Sequence, residues 1–365
     1  MKSTYTFNIV PSDTTPADVG RGLTLLTAYQ LLLEGQSLSW VSRYRDLHHL
    51  GSGGQGIVFL GHREGADGFT LPVALKVFSP ESYRDPEAYD QDMARVAAVA
   101  SRVALIQHDN LLDVHDFVAH EGVRVMVMEW VDGFDLRQLL TDATLEKSRT
   151  SLEPAHWRYV NDVIFTAGRT QPRFKPGVAI QILRDCLAGL AAIHREGIVH
   201  GDLKPANVML KRTGTAKIID IGSALDLANA AGRRMWSPAY AAPEVLDGGP
   251  VTPSADLASL GYVLVEMLAG RPPFEEAKTI AELRDAKHGL EQRLTELLPD
   301  DVSGNELLVY LCRRLIATDP ARRFADAQSA DLGRKGAAAF HRQLIKGNLA
   351  SEYDNDLRVW LEQLK

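Results

Sequence analysis

A chain of 365 residues, 45% hydrophobic and 24% charged, has the material for a large core and more than one lobe. Its net charge of -7 argues against a broad nucleic-acid-binding surface, and its two cysteines, Cys186 and Cys312, rule out a disulfide framework. Both cysteines lie in apolar helical patterns and suit buried thiols in a reducing cytosol. Met1 to Asp13 lacks the apolar segment of a signal peptide. No run of about 18 apolar residues is evident, so neither a membrane span nor a location outside the cytoplasm is expected.

In chain order, Thr24 to Leu33 carries Leu25, Leu26, Tyr29, Leu32 and Leu33 at helical spacing and predicts a short helix. Tyr44 to Leu60 reads as strand, glycine turn, strand, and Val73 to Phe78 as a further strand. Glu87 to Ile106 predicts a long Ala/Val-rich helix; Val123 to Glu129 and its flanks alternate like strands. From Leu136 the pattern turns helical, with strong segments at 178–195, 255–268, 306–317, 325–345 and 353–364. Residues 146–176 set Trp157, Tyr159, Phe165 and Phe174 among loop-forming residues and read as an insertion. The expected organisation is α+β: an extension over 1–43, a β-rich lobe over 44–131, a helical lobe over 132–335 and a helical extension over 336–365.

Three segments carry chemistry. Gly51-Ser52-Gly53-Gly54-Gln55-Gly56-Ile57-Val58 fits G-x-G-x-x-G-x-V between two strands, and glycines let backbone N–H groups approach phosphate oxygens. A following strand rather than a helix argues against a dinucleotide site. His200-Gly201-Asp202-Leu203-Lys204-Pro205-Ala206-Asn207, with Asp220-Ile221-Gly222 after it, gathers two carboxylates, an amide and a lysine. Phosphoryl transfer needs such a set: groups to orient a hydroxyl, hold Mg²⁺ and offset phosphate charge.

The octapeptide resembles the catalytic loop of protein kinases, and Asp220-Ile221-Gly222 their magnesium-binding D-F-G motif. Lys76, ending Val73-Ala74-Leu75-Lys76, resembles their strand lysine, with Ala74 beside the adenine; Met128-Glu129-Trp130-Val131 resembles the linker between lobes. Ser237 to Glu244, Asp256 with Leu260-Gly261, and Asp319-Pro320-Ala321-Arg322-Arg323 resemble the peptide platform, the bracing helix and the D-P-x-x-R turn, whose Arg323 would pair with Glu244. The resemblance covers about residues 44–330 and implies a two-lobed fold of the bacterial branch. ATP would lie beneath Gly51, Gly53, Gly56 and Val58, with its adenine against Met128 and the backbones of Glu129 and Val131, and its ribose near Asp135. It further implies Lys76 on the phosphates, Asp202 and Lys204 as the catalytic pair, Mg²⁺ on Asn207 and Asp220, and transfer to serine or threonine of a protein substrate.

Two departures matter. Counting from His108-Asp109-Asn110 or from Asp85-Pro86-Glu87 puts Val99 or Arg95, not a glutamate, where the long helix should hold Lys76; Asp92, then Glu87, is the nearest acid. Gly201 stands where protein kinases commonly carry an arginine, so activity is expected not to depend on loop phosphorylation read through this position. A nucleotide-binding scaffold without turnover and, from His-Gly-Asp, a small-molecule kinase stay open. Many bacterial relatives continue into a membrane span and this chain is expected not to, which suits a cytosolic regulator with a protein partner on residues 146–176.

Overall fold

The computed structural model describes residues 43–120, 122–229, 236–346 and 353–364; the helix expected over 24–33 lies outside them. Residues 43–45 and 63–71 belong to one compact unit, a hairpin tip in which the Gly65 N–H donates to the Phe69 carbonyl. Residues 46–62 and those from 72 onward form the other unit, which contains the cavity and every side chain considered below.

The first lobe is a five-stranded sheet in the order β1-β2-β3-β5-β4. Its strands are β1 (Arg43–Gly53), β2 (Gly56–Glu64), β3 (Thr70–Phe78), β4 (Val114–His120) and β5 (Val123–Glu129). Between β3 and β4 runs helix α1 (Pro86–Val103), started by Asp85, whose side chain accepts from the Ala88 N–H, with Pro86 in the first turn. Its Tyr89, Met93, Val96, Val99, Ala100 and Val103 recur at helical spacing and are buried. Antiparallel pairing of β3 with β5 sets Ala74 opposite Met128 and Lys76 opposite Met126. Residues two apart share a strand face, so Ala74 and Lys76 face the same way.

Beyond β5, a short β6 (Gly133–Asp135) leads into α2 (Leu136–Leu139), α3 (Asp142–Ser151) and α4 (Pro154–Val163). The small hairpin β7 (Phe165–Thr166) and β8 (Arg173–Phe174) precedes the long helix α5 (Pro176–Arg195). Strands β9 (Ile198–Val199), β10 (Val208–Lys211), β11 (Ala216–Ile218) and β12 (Leu225–Asp226) follow. Next come α6 (Pro243–Leu246), α7 (Pro253–Ala269), α8 (Ile280–His288), α9 (Leu290–Leu297), α10 (Asp300–Ser303) and α11 (Glu306–Ile316). Helices α12 (Ala327–Leu332), α13 (Ala337–Lys346) and α14 (Tyr353–Glu362) complete the described chain. Thus the protein has the two-lobed α+β architecture expected, a sheet with one long helix followed by a mainly helical lobe.

Three local expectations change. The single helix over 325–345 is two helices, because Gly333 ends α12 and Gly336 precedes α13. The segment 146–176 is two helices and a hairpin rather than loop, and its aromatics turn inward: Phe165 and Phe174 are 0% exposed and pack on Trp360 of α14, with ring centroids 5.1 and 6.2 Å from it. Trp157 is half-buried, and the Tyr159 hydroxyl donates to Asp356 of α14. Finally, α5 is long and apolar enough to cross a membrane, although no such run was expected. Its Val178, Ala179, Leu183, Leu187 and Leu190 are fully buried, as befits a core helix packed on α7, α12 and α13.

Candidate active site

A cavity of about 730 Å³ opens where β1–β3, the β5–β6 connection and the β10–β11 hairpin meet. Every residue named above for nucleotide, metal or catalysis lines it: Gly51, Gly53, Gly56, Val58, Ala74, Lys76, Met128, Glu129, Val131, Asp135, Asp202, Lys204, Asn207 and Asp220. The glycine-rich turn is rooted on β3. A Cβ on Gly56 would lie 2.0 Å from the Val77 carbonyl oxygen, so only glycine permits that approach, and the Ser79 N–H donates to the Gln55 carbonyl.

The 200–207 loop is held from behind by α7. Asp256, 1% exposed, accepts from the His200 and Gly201 N–H groups at 2.8 and 2.9 Å and pairs with the His194 ring at 2.8 Å. His200, wholly buried, accepts the Asp202 N–H at Nδ1, so its proton sits on Nε2 and goes to the Ile219 carbonyl. Two flanks of one loop are thereby fixed before any ligand arrives. Asp202 projects from it with Oδ1 accepting the Ser237 N–H at 2.8 Å and Oδ2 accepting from Lys204 Nζ at 2.6 Å. Lys204 also donates to Ser237 Oγ at 3.0 Å, and Asn207 Nδ2 to the Asp202 carbonyl at 2.8 Å.

The β10–β11 hairpin brings Asn207 and Asp220 together, since Val208 pairs with Ile218 and the Ile219 N–H donates to the Asn207 carbonyl. Asp220 adopts a left-handed φ of 66° and accepts the Gly222 N–H at 3.1 Å. Burial pushes its carboxyl up, but the Lys76 ammonium at 2.5 Å and the Gly222 N–H outweigh that and hold it at about 2. It is therefore ionised at neutral pH. With the Asn207 amide nitrogen committed to Asp202, the amide oxygen is its remaining acceptor. A carboxylate beside an amide oxygen is a hard-oxygen pair that fits Mg²⁺, which takes one or two protein groups and completes its shell with phosphate oxygens and water.

The partner expected for Lys76 is not where the sequence suggested. Asp92 binds Arg95 Nε at 2.9 Å and the Tyr83 hydroxyl at 2.6 Å, and Glu87 is exposed in the first turn of α1. Arg95, one turn beyond Asp92, neutralises it and donates to the Ala224 carbonyl at 2.8 Å, so α1 directs a cation toward this segment. Lys76 instead meets Asp220 and Gln55 Oε1, each at 2.5 Å. Sequence reasoning passed over Gln55; its one signal was a long polar side chain at the tip of a turn otherwise built of glycine and serine.

Other groups are placed by structural bonds. The Glu129 carboxylate accepts the Asp113 N–H and meets Lys217, leaving its backbone at the cavity. Asp135 caps α2 by accepting the Gln138 N–H at 2.8 Å, and burial raises its carboxyl. The Ser237–Glu244 segment is anchored by Lys287 Nζ, fully buried and 2.7 Å from the Ala239 carbonyl, and by Arg323 on Glu244 at 2.6 and 2.7 Å.

Comparison with known proteins agrees with this architecture. The model of the protein kinase domain matches residues 44–331. The chain is 27% identical over 340 residues to the probable serine/threonine-protein kinase PknB of Lactococcus lactis, covering 86% of this chain and 47% of that protein. It is 26% identical over 315 residues to the serine/threonine-protein kinase PrkC of Bacillus subtilis, covering 84% and 42%. With the serine/threonine-protein kinase PknL of Mycobacterium tuberculosis it shares 30% identity over 300 residues, covering 80% and 65%. The chain thus spans about half the length of these curated relatives. On the domain match and the arrangement of its cleft, this chain belongs to the protein kinase family.

Proposed function

We propose that the chain transfers the γ-phosphoryl group of MgATP to serine or threonine hydroxyls of a protein substrate, with lobes at 44–131 and 132–335, in the cytoplasm. The observation that carries this reading is the Asp202 carboxylate, oriented by the Ser237 N–H and by Lys204, in the same cavity as the Lys76–Asp220 pair. An acceptor fixed in that way is ready to orient a hydroxyl and take its proton as the bond to phosphorus forms. Lys204, between Asp202 and Ser237, offsets charge on the transferring group. Lys76 meets the ATP phosphates under the glycine-rich turn, Ala74, Met128 and Val58 enclose the adenine, and the Glu129 and Val131 backbones read its edge. Asn207 and Asp220 would hold Mg²⁺, which when bound neutralises phosphate charge.

A protein substrate is favoured over a metabolite by the braced Ser237–Glu244 segment, fixed by Arg323 and Lys287. Gly201 supports activity independent of loop phosphorylation: its φ of 76° suits glycine, and it presents no cation. The partner surface on 146–176 has weaker support, since Phe165 and Phe174 are buried under α14. A scaffold that binds ATP without turnover is the second reading, favoured by the lack of an α1 acid on Lys76. Phosphoamino-acid analysis after incubation with γ-labelled ATP decides. Label on serine or threonine of protein is expected; label on phosphotyrosine alone, or only on an added aminoglycoside or choline, would contradict it.

A further inference from the structure

We propose that Gln55, at the tip of the glycine-rich turn, is the positioning residue for Lys76. This rests on the cleft being a phosphoryl-transfer site. Lys76 is 5% exposed, and an ammonium removed from water needs acceptors of fixed position. Asp220 is one, but its Oδ1 also accepts the Gly222 N–H, and a carboxylate that would in addition hold a metal needs a second acceptor to fix the lysine. Gln55 Oε1 is the other, at 2.5 Å.

The Gln55 amide is used at both ends: Oε1 accepts from Lys76 while Nε2 donates to Ser223 Oγ at 2.8 Å. Its orientation follows from chemistry, because the reversed amide would set N–H groups against an ammonium. The root of the side chain is equally fixed, since the Gln55 carbonyl accepts the Ser79 N–H just past the end of β3, the strand that carries Lys76. The cluster leaves no room at Gly222, where a Cβ would lie 2.3 Å from Gln55 Oε1 and 2.6 Å from Lys76 Nζ. Helix α1 cannot substitute, since Asp92 is held by Arg95 and Tyr83 and Arg95 reaches the Ala224 carbonyl. Gln55 therefore joins the turn over the phosphates, the strand lysine and the segment after Asp220 through one side chain. Closing the turn and aligning the lysine become a single event.

The test compares wild type, Gln55→Leu and Gln55→Glu in the full chain, measuring kcat, KM for ATP, MgATP affinity by calorimetry and thermal unfolding. Leucine keeps the bulk and removes both hydrogen bonds; we expect kcat to fall about 10–100-fold in a variant that is still fully folded at the assay temperature. Glutamate keeps the acceptor for Lys76 and should recover to within about threefold of wild type, a loss no larger than one neutral hydrogen bond to Ser223. Gln55→Leu within about twofold of wild type, or Gln55→Glu falling as far as Gln55→Leu, would overturn the proposal; twofold is under about 0.5 kcal/mol. Should wild type transfer no phosphate, the reading of the site fails, and Gln55 is judged by MgATP affinity alone. An affinity weakened about tenfold in Gln55→Leu would then support the lysine contact, and an unchanged one would overturn it.

Discussion

Arg323 shows how much one side chain holds in place. Its side chain is fully enclosed; Nη1 and Nη2 fork onto the Glu244 carboxylate while Nε donates to the Ala317 carbonyl and Nη1 to that of Ser254. Arg323→Ala strands a carboxylate and two carbonyls, and we expect a loss of about 3–5 kcal/mol in denaturant unfolding. Arg323→Lys should recover little, since an ammonium cannot reproduce the fork. A loss below about 1 kcal/mol for the alanine variant would mean the pair is solvated and marginal. At Gly201 the expectation is kinetic. Phosphatase treatment should leave the turnover of wild type unchanged, and a loss restored by a phosphomimetic within 223–237 would refute that.

Among the elements, α14 acts as a clasp on the helical lobe. Trp360 is 0% exposed, its indole N–H donates to Ser148 Oγ at 2.9 Å, and its ring packs on Phe165 and Phe174. Trp360→Ala opens a cavity beside the Phe165 and Phe174 rings and should cost about 3–5 kcal/mol, read as a lowered unfolding midpoint. An unchanged midpoint would show α14 detached in solution. Helix α5 carries a pH-dependent defect. Burial raises the Asp185 carboxyl from 3.8 to about 6, against the opposing Ala216 N–H. The folded state therefore holds that proton more tightly, so this group's contribution to stability falls as pH rises from 3.8 to about 6 and stays low above. Asp185→Asn should stabilise at neutral pH by on the order of 1–2 kcal/mol, after allowance for partial exposure, with the gain vanishing toward about pH 4. A gain independent of pH would assign the effect to packing instead of charge.

Across the whole molecule, what could be read from sequence was what chemistry writes locally. G-x-G-x-x-G, Val-Ala-Leu-Lys, His-Gly-Asp-Leu-Lys-Pro-Ala-Asn and Asp-Ile-Gly are short runs whose residue types and spacing suit phosphate and metal chemistry, and the fold brings all of them to one cavity. Strand and helix periods likewise marked β3, α1, α5 and α7 to within a few residues. What escaped depended on distant partners. The second acceptor for Lys76 lies 21 residues earlier, in a turn whose glycines drew attention from its glutamine, and that glutamine's other bond is to a residue 168 positions on. The aromatics of 146–176 suggested a surface because Trp360, which covers two of them, lies near the far end of the chain. The 325–345 helix was overextended because its apolar spacing continues across Gly333 and Gly336. The most direct test of the account is transfer of label from γ-labelled ATP with Mg²⁺ to a generic basic protein by wild type, Asp202→Ala and Asp220→Ala. Label is expected with wild type and is lost in both variants while each stays folded. Equal labelling by all three would place the chemistry elsewhere, and none from a wild type that binds ATP would make this chain a nucleotide-binding scaffold.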